Sequence, residues 1–113
     1  MDLHLKDKVV IVTGGAKGIG AGIVKALYNE GAIPVIIGRS ESDNLAMLAE
    51  INHAGHQITA ELTQPSECEK AVQLTIEKYG RIDGLINNAG VNDGVGLEKG
   101  NYEAFMTSLH RNL

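Results

Sequence analysis

The sequence predicts an α/β fold, in which a parallel β-sheet is covered by helices on both faces. Three features favour this fold. Apolar, β-branched runs alternate along the chain with segments of helical periodicity. The connections between them are short, and the runs are apolar throughout, which is typical of strands buried on both faces. Since parallel strands need crossover connections, the intervening helices must cover the sheet.

The first strand and helix flank a glycine-rich turn. The segment "KVVIVT" (Lys8–Thr13) is a continuous apolar run and predicts a buried strand. A helix is predicted over Ile19–Glu30, because a glycine follows directly as a stop signal. Helical spacing predicts Ile23, Ala26 and Leu27 on the apolar side of this helix.

The second strand and helix repeat this pattern. The segment "IPVIIG" (Ile33–Gly38) predicts another buried strand, and a helix is predicted over Ser40–Ala54. A glycine again follows the helix as a stop signal. The residues predicted on its apolar face are Leu45, Leu48 and Ala49.

The third pair contains the clearest helix of the chain. A strand is predicted over "QITAEL" (Gln57–Leu62). The helix after it has Pro65 near its start and Gly80 at its end, which is the expected asymmetry of helix termini. Its apolar positions recur at helical spacing and form one stripe. This stripe consists of Cys68, Ala71, Val72, Thr75, Ile76 and Tyr79.

The fourth strand is predicted over "RIDGLI" (Arg81–Ile86), and "NNAG" follows it. A glycine-rich loop (Val91–Gly100) leads to a last predicted helix, Tyr102–Leu113. The apolar face of this helix carries Phe105, Met106 and Leu109. Because no fifth strand follows, we expect a sheet truncated after the fourth helix.

Composition excludes several classes of function. The net charge is −4, and the chain has no Trp, one Phe and three Tyr, so it lacks the basic face and stacking surface of a nucleic-acid binder. No signal peptide or membrane-spanning run is present, and no basic patch for a membrane surface, so we expect a soluble, cytoplasmic protein. The single Cys68 predicts a core position, and His53 and His56 are predicted to face solvent, because a metal site would need further ligands.

The turn "TGGAKGIG" predicts a phosphate-binding site. Gly14, Gly18 and Gly20 have the spacing G-x-x-x-G-x-G between a buried strand and a helix. Gly14 can turn the chain at positive φ, and a side chain at Gly18 or Gly20 would obstruct a bound pyrophosphate or the packing of helix on sheet. A phosphate would then meet the positive end of the helix. The alternative is a tight connection without a ligand.

Three segments resemble the short-chain dehydrogenase/reductase family: "TGGAKGIG" (Thr13–Gly20), "NNAG" (Asn87–Gly90) and "FMTSLHRNL" (Phe105–Leu113). The resemblance implies a doubly wound Rossmann-type sheet, with residues 1–113 as the N-terminal, dinucleotide-binding part of a single domain. It implies NAD(P)-dependent hydride transfer to or from an alcohol, carbonyl or sugar substrate, and a homo-oligomer (dimer or tetramer) for the complete protein. The wider segment "NNAGVNDGVGLE" is similar to bacterial sugar dehydrogenases of the L-fucose dehydrogenase type.

By this resemblance, Glu61 would accept a hydrogen bond from the adenine amino group, although the family usually has the shorter Asp there; the alternative for Glu61 is a polar strand end. Asn88 and the two residues after it would line the adenosine ribose, and the alternative for them is a simple turn. The complete set of predicted cofactor-binding residues is Gly14, Ala16, Lys17, Gly18, Ile19, Gly20, Arg39, Ser40, Glu61, Leu62, Asn88, Ala89 and Gly90.

Two basic residues predict NADP as the cofactor. In dinucleotide folds an acid about 20 residues beyond the glycines binds the adenosine ribose, but Gly38 stands there and Arg39 follows it. A guanidinium can bind a 2′-phosphate through paired hydrogen bonds, and Lys17 adds a second positive charge. The alternatives are NAD, because Glu41 and Asp43 lie nearby, and ordinary solvated charges.

The resemblance assigns one catalytic residue to this chain, Asn112. The Ser, Tyr and Lys that complete the family's catalytic set would come after Leu113, and neither Tyr79 nor Tyr102 is followed by a Lys four residues later. We therefore expect the chain to carry the cofactor-binding half of an NAD(P)-dependent dehydrogenase and to be inactive alone. The alternative is a catalytically inactive module that binds a dinucleotide or a partner.

Overall fold

The structure is a computed structural model and describes residues 3–88. The predicted last helix and three of the predicted site residues, Ala89, Gly90 and Asn112, lie outside the described residues. Within residues 3–88, none of the helices has the length and hydropathy needed to traverse a lipid bilayer.

The described residues form one parallel sheet of four strands with helices on both faces, which confirms the predicted fold class. The strands are β1 (Val9–Thr13), β2 (Ile33–Gly38), β3 (His56–Thr59) and β4 (Gly84–Asn87). The helices are α1 (Gly18–Asn29), α2 (Glu41–Glu50) and α3 (Pro65–Tyr79). The strand order is β3-β2-β1-β4. The chain adds β2 and β3 on one side of β1 and then crosses over to add β4 on the other side, so the strand order reverses between β1 and β4.

Two apolar cores lie on opposite faces of the sheet, because successive strand residues point to opposite sides. Val9 and Ile11 of β1 belong to the core beneath α3, together with Cys68 and Val72 of that helix. The other face packs on α1 and α2. Its buried apolar residues are Val10, Val12, Val24, Leu27, Ala32, Ile36, Met47, Leu48 and Ile51.

Helix α3 confirms its sequence pattern. Cys68, Ala71, Val72 and Thr75 are buried, as the predicted stripe requires. The helix begins with proline and ends at Gly80, which adopts the left-handed conformation (φ 76°) and donates its N–H to the carbonyl of Ile76 at 2.7 Å. The burial of the Cys68 thiol also raises its pKa, as expected of a core cysteine.

The predicted apolar faces of the first two helices were partly wrong. In α1 the buried side runs through Val24 and Leu27, and Ala26 is exposed. In α2 the buried positions are Asn44, Met47 and Leu48, whereas Leu45 is 46% exposed; Ala49 is exposed as well. The polar residue Asn44 occupies one core position of α2. The apolar pattern therefore predicted a neighbouring face of the helix as the buried one.

Several element ends also differ from the prediction. Helix α2 ends at Glu50 rather than Ala54, because Asn52 and His53 adopt positive φ angles of 56° and 58°. Strand β3 ends at Thr59, although Ala60 still donates its N–H to the carbonyl of Gly38 at 3.0 Å. His56 lies in β3 and is half-buried rather than solvent-facing, and burial lowers its pKa.

Strand β4 begins at Gly84 rather than Arg81, because the preceding residues bind the sheet through a side chain. Asp83 accepts the N–H of Val9 on Oδ2 at 2.8 Å and donates its own N–H to the Val9 carbonyl at 2.7 Å. The guanidinium of Arg81 donates to both carboxylate oxygens, at 2.8 and 2.7 Å. The amino ends of β1 and β4 are thereby joined.

Candidate functional site

The carboxyl ends of β1 and β4 define the candidate site. These strands pair in register, with Thr13 opposite Asn87, and the strand order reverses between them. In open α/β sheets a crevice forms outside the carboxyl ends of the strands at such a reversal, and ligands bind there. The glycine turn follows β1 and Asn88 follows β4, so the topology brings together two of the sequence motifs.

Hydrogen bonds from Thr13 connect the two strand ends. The Thr13 hydroxyl lies 3.0 Å from Oδ1 of Asn87 and donates to it, and it accepts the N–H of Asn88 at 2.9 Å. The Asn88 side chain donates Nδ2–H to the carbonyl of Gly14 at 3.3 Å. Thr13 is buried. The start of the glycine turn is therefore fixed to the end of β4, and sequence reasoning missed the part that Thr13 and Asn87 play.

The glycines of the turn have different physical roles. Gly14 and Gly18 adopt left-handed φ angles of 66° and 57°, which residues with a side chain rarely adopt. A Cβ at Gly18 would have no atom within 4 Å, so open space lies beside it. A Cβ at Gly20 would collide with the carbonyl of Gly14 and lie 2.6 Å from Nδ2 of Asn88. Gly20 thus serves the packing of helix on strand, and Gly18 leaves room for a ligand.

A fourth glycine, Gly15, was not among the predicted site residues. It is buried, and a Cβ there would lie 2.9 Å from Cγ2 of Val24 and 3.2 Å from the carbonyl of Val12. It allows α1 to approach β1 closely. Ala16, which was predicted, is half-buried and packs against the core on the same face of the sheet.

The amino end of α1 faces this turn and is electropositive. Lys17 precedes the helix in an extended conformation, its side chain makes no capping hydrogen bond, and the first helical turn carries no acidic residue. The first N–H groups of a helix have no partner within the helix, and the helix dipole adds positive potential. The apolar side chain of Ile19 is 78% exposed beside them. This arrangement suits an anion with an adjoining apolar group.

Two ion pairs lie near the carboxyl ends of the strands: one joins the turn after β1 to α2, and the other joins the residues after β2 and β3. Lys17 Nζ lies 3.1 Å from Oδ2 of Asp43, and Arg39 Nη1 lies 3.8 Å from Oε2 of Glu61. The hydroxyl of Ser40 accepts the N–H of Asp43 at 3.3 Å and caps α2. Asp43 links Lys17 to Ser40, and Arg39 directly precedes Ser40, so these residues lie around the start of α2, which we call the corner. Hydrogen bonds from Lys17 and then Ser40 lower the pKa of Asp43, so its carboxylate is charged at neutral pH.

The two other predicted residues near this corner differ in environment. Glu61 is half-buried, and besides Arg39 its carboxylate accepts the N–H of Thr63 at 3.3 Å. Leu62 is buried in the core beneath α3. In the described part of the chain, residues 3–88, no group of three or more His, Cys, Asp or Glu side chains could hold a metal ion.

Asn44 lies beneath the corner and was missed by sequence reasoning. It is 1% exposed, and its Nδ2 lies near three oxygens: the Gly38 carbonyl (3.2 Å), Oε1 of Gln57 (3.1 Å) and the Ile58 carbonyl (3.4 Å). A Cβ at Gly38 would lie 2.8 Å from Oδ1 of Asn44. The amide therefore occupies the space that a side chain at position 38 would need. The only available signal was a polar residue between apolar ones in α2.

Comparison with known proteins identifies the family. Residues 8–113 match the family described as short chain dehydrogenase. The chain belongs to the short-chain dehydrogenase family. It is 36% identical over 116 residues to an uncharacterized oxidoreductase of Staphylococcus saprophyticus, covering 98% of this chain and 49% of that protein. It is 40% identical over 93 residues to sorbitol-6-phosphate 2-dehydrogenase of Klebsiella pneumoniae, covering 80% of this chain and 32% of that one.

Solved structures of a dehydrogenase and a reductase share the fold. The crystal structure of Cj0485 dehydrogenase superposes with a TM-score of 0.82 at 33% identity, covering 99% of this chain and 49% of that one. An NADH-dependent reductase crystallised with NAD gives a TM-score of 0.84 at 25% identity, covering 100% of this chain and 55% of that one. The chain therefore spans about half the length of these relatives or less. These comparisons confirm the predicted family. They do not support the narrower similarity to L-fucose dehydrogenases.

Proposed function

We propose that this chain forms the cofactor-binding half of an NAD(P)-dependent oxidoreductase that acts on a small alcohol or carbonyl compound, with sugars as one candidate class. The observation that carries the proposal is the joined end of β1 and β4. There the left-handed Gly18 leaves open space at the amino end of α1, and Asn88 is held against the turn. Similarity to a sorbitol-6-phosphate 2-dehydrogenase and to an NADH-dependent reductase crystallised with NAD supports this proposal.

The residues present fit a dinucleotide. The pyrophosphate would lie at the N–H groups of Gly18, Ile19 and Gly20, where Gly18 leaves open space. When bound, the nicotinamide ring would give or accept the hydride. The chain's own residues would bind and orient the cofactor: Asn88 at the adenosine ribose, with Ala89 and Gly90 as further proposed contacts.

We further propose NADP as the preferred cofactor, with NAD as the alternative. Arg39 and Lys17 supply two positive charges near the carboxyl end of β2, and Gly38 offers no carboxylate to an adenosine ribose. Glu61 is proposed as the acceptor for the adenine amino group and Asn112 as a catalytic residue of the same reaction.

The phosphate turn provides the test. In the full-length protein, Gly18→Val forces a β-branched residue to adopt a φ of about 57°. We expect it to abolish NADPH binding in a fluorescence titration, while circular dichroism still shows a folded α/β protein. Gly22→Val is the matched control, because Gly22 lies in α1 without a positive φ, and a Cβ there would have no atom within 4 Å. If Gly18→Val binds NADPH like the parent protein, the turn is only a connection.

A further inference from the structure

Each cation of the proposed 2′-phosphate corner already has a carboxylate partner. Lys17 pairs with Asp43 and Arg39 pairs with Glu61, so the formal charges within each pair cancel. All four side chains are accessible: the exposed fractions are 77% and 38% for the first pair and 79% and 41% for the second. A phosphate that approaches this corner therefore meets two carboxylates as well as two cations.

The two ion pairs differ in length and in the other partners of their carboxylates. The Lys17–Asp43 pair is short, at 3.1 Å, and Asp43 lies in the first turn of α2, where Ser40 caps the helix. The Arg39–Glu61 pair is longer, at 3.8 Å, and Glu61 shares its carboxylate with the N–H of Thr63. Asp43 therefore lies in direct hydrogen-bond contact with its cation, whereas Glu61 does not, and Asp43 is the better placed competitor for a phosphate.

A 2′-phosphate and the Asp43 carboxylate would compete for the same ammonium group. A phosphate bound by Lys17 must either displace Asp43 or bind beside it, and both alternatives cost Coulomb energy because like charges come close. A ribose with a free 2′-hydroxyl meets no such repulsion. The carboxylate therefore acts selectively against the phosphorylated cofactor.

We propose that Asp43 is a specificity-determining residue, whose carboxylate competes with the 2′-phosphate for Lys17 and thereby limits the preference for NADP over NAD. This inference rests on the proposed function, because it concerns the adenosine end of the same cofactor site.

The test uses two probes that differ only by the 2′-phosphate, adenosine 2′,5′-bisphosphate and adenosine 5′-monophosphate, in calorimetric titrations of the full-length protein. Asp43→Asn should bind the bisphosphate about fivefold to tenfold more tightly, because one repulsive charge is removed at close range. Affinity for the monophosphate should stay within about twofold, because its free 2′-hydroxyl carries no charge. The ratio of the two affinities is the decisive quantity.

Glu50→Gln is the matched control. It removes the same charge from the same helix, but Glu50 pairs with Lys25 at 3.0 Å, away from the corner. Its affinity ratio should equal that of the parent protein. A change as large as that of Asp43→Asn would indicate an effect of net charge alone and would overturn the proposal.

A second comparison tests whether Asp43 acts through Lys17. In a Lys17→Met background, Asp43→Asn should give a clearly smaller gain for the bisphosphate, because the contested cation is gone. Asp43→Ser serves as a second variant if Asp43→Asn does not fold. An unchanged affinity ratio in the folded variant overturns the role of Asp43 alone. A parent protein that binds neither probe overturns the proposed function together with it.

Discussion

Gly20 lies against the carbonyl of Gly14 and the side chain of Asn88, and its lack of a side chain is a packing requirement. We predict that Gly20→Ala destabilises the protein by about 1–3 kcal/mol, because the clash involves backbone that cannot move aside easily. Binding of NADPH should weaken as well, since the turn and Asn88 are displaced together. Urea denaturation and a fluorescence titration measure the two effects.

Gly22→Ala is the control for this substitution. Gly22 lies in the same helix, and a Cβ there has no atom within 4 Å. Alanine should therefore be neutral or stabilise the helix by about 0.5–1 kcal/mol, because it loses less backbone entropy than glycine on folding. Equal stability of the two alanine variants would contradict the packing role of Gly20.

Gly38 and Asn44 form a second pair in which one residue constrains the other. Gly38→Ala would bring a Cβ within 2.8 Å of Oδ1 of Asn44, and the amide would have to leave its three oxygen neighbours. Each single alanine substitution should destabilise the protein, by about 1–3 kcal/mol for the buried hydrogen bonds of Asn44. The double variant should be destabilised by less than the sum of the two single variants, because replacing Asn44 removes the atom with which the new Cβ clashes.

A double-mutant cycle from chemical denaturation measures this coupling. Strictly additive costs would mean that Gly38 and Asn44 act independently. The pair also shows where sequence reasoning reached its limit at this scale. The positive φ of Gly14 and the packing role of Gly20 could be predicted from their place between strand and helix. Asn44 lies on helix α2, and its hydrogen bonds reach Gln57 and Ile58 on strand β3, so no local pattern contains that information.

At the scale of elements, Asp83 joins the amino end of β4 to β1. The paired hydrogen bonds from Arg81 lower the pKa of the Asp83 carboxyl group, burial acts in the opposite direction, and the N–H of Val9 lowers it further. A carboxyl group whose pKa is lower in the folded state stabilises the protein above its ordinary pKa of 3.8. This contribution is lost as the pH falls through the folded-state pKa.

We therefore predict that Asp83→Asn lowers the free energy of unfolding at neutral pH by about 0.5–1.5 kcal/mol, because a charged acceptor of three hydrogen bonds is lost and solvent screens part of the effect. The difference from the parent protein should shrink as the pH falls below 3.8. Chemical denaturation at a series of pH values measures this difference in the free energy of unfolding. Glu77→Gln is the control, because Glu77 is an exposed carboxylate of α3. A difference that does not change with pH would contradict the role of the carboxylate.

The elements themselves were predictable to different degrees. Helix α3 has a continuous apolar stripe with proline and glycine at its ends, so local physics defines it. For helix α2, the predicted apolar face was wrong because the buried Asn44 interrupts the apolar pattern. Its predicted end, Ala54, was too late, because Asn52 and His53 form a turn with φ angles that are uncommon for such residues. The start of β4 depends on a side chain bound to another strand, which periodicity does not reveal.

At the scale of the whole molecule, alternation of strand and helix sufficed to predict the parallel sheet and its two covered faces. The order β3-β2-β1-β4 was not predicted, because strand pairing is a long-range property that local patterns do not contain. The order matters for function. It brings the glycine turn after β1 and Asn88 after β4 to one crevice, although they are far apart in sequence.

The proposed cofactor would bridge this crevice and the charged corner at β2, so its binding should stabilise the molecule as a whole. A ligand that binds only the folded state adds about 2.7 kcal/mol at a concentration 100 times its dissociation constant. We predict that both NADP and NAD raise the melting temperature of the full-length protein. In Arg39→Asp the shift with NADP should be largely lost, because repulsion replaces a charged hydrogen bond to the 2′-phosphate. The shift with NAD should persist. Equal losses for both cofactors in a thermal melt would show that Arg39 supports the fold of the corner and does not read the 2′-phosphate.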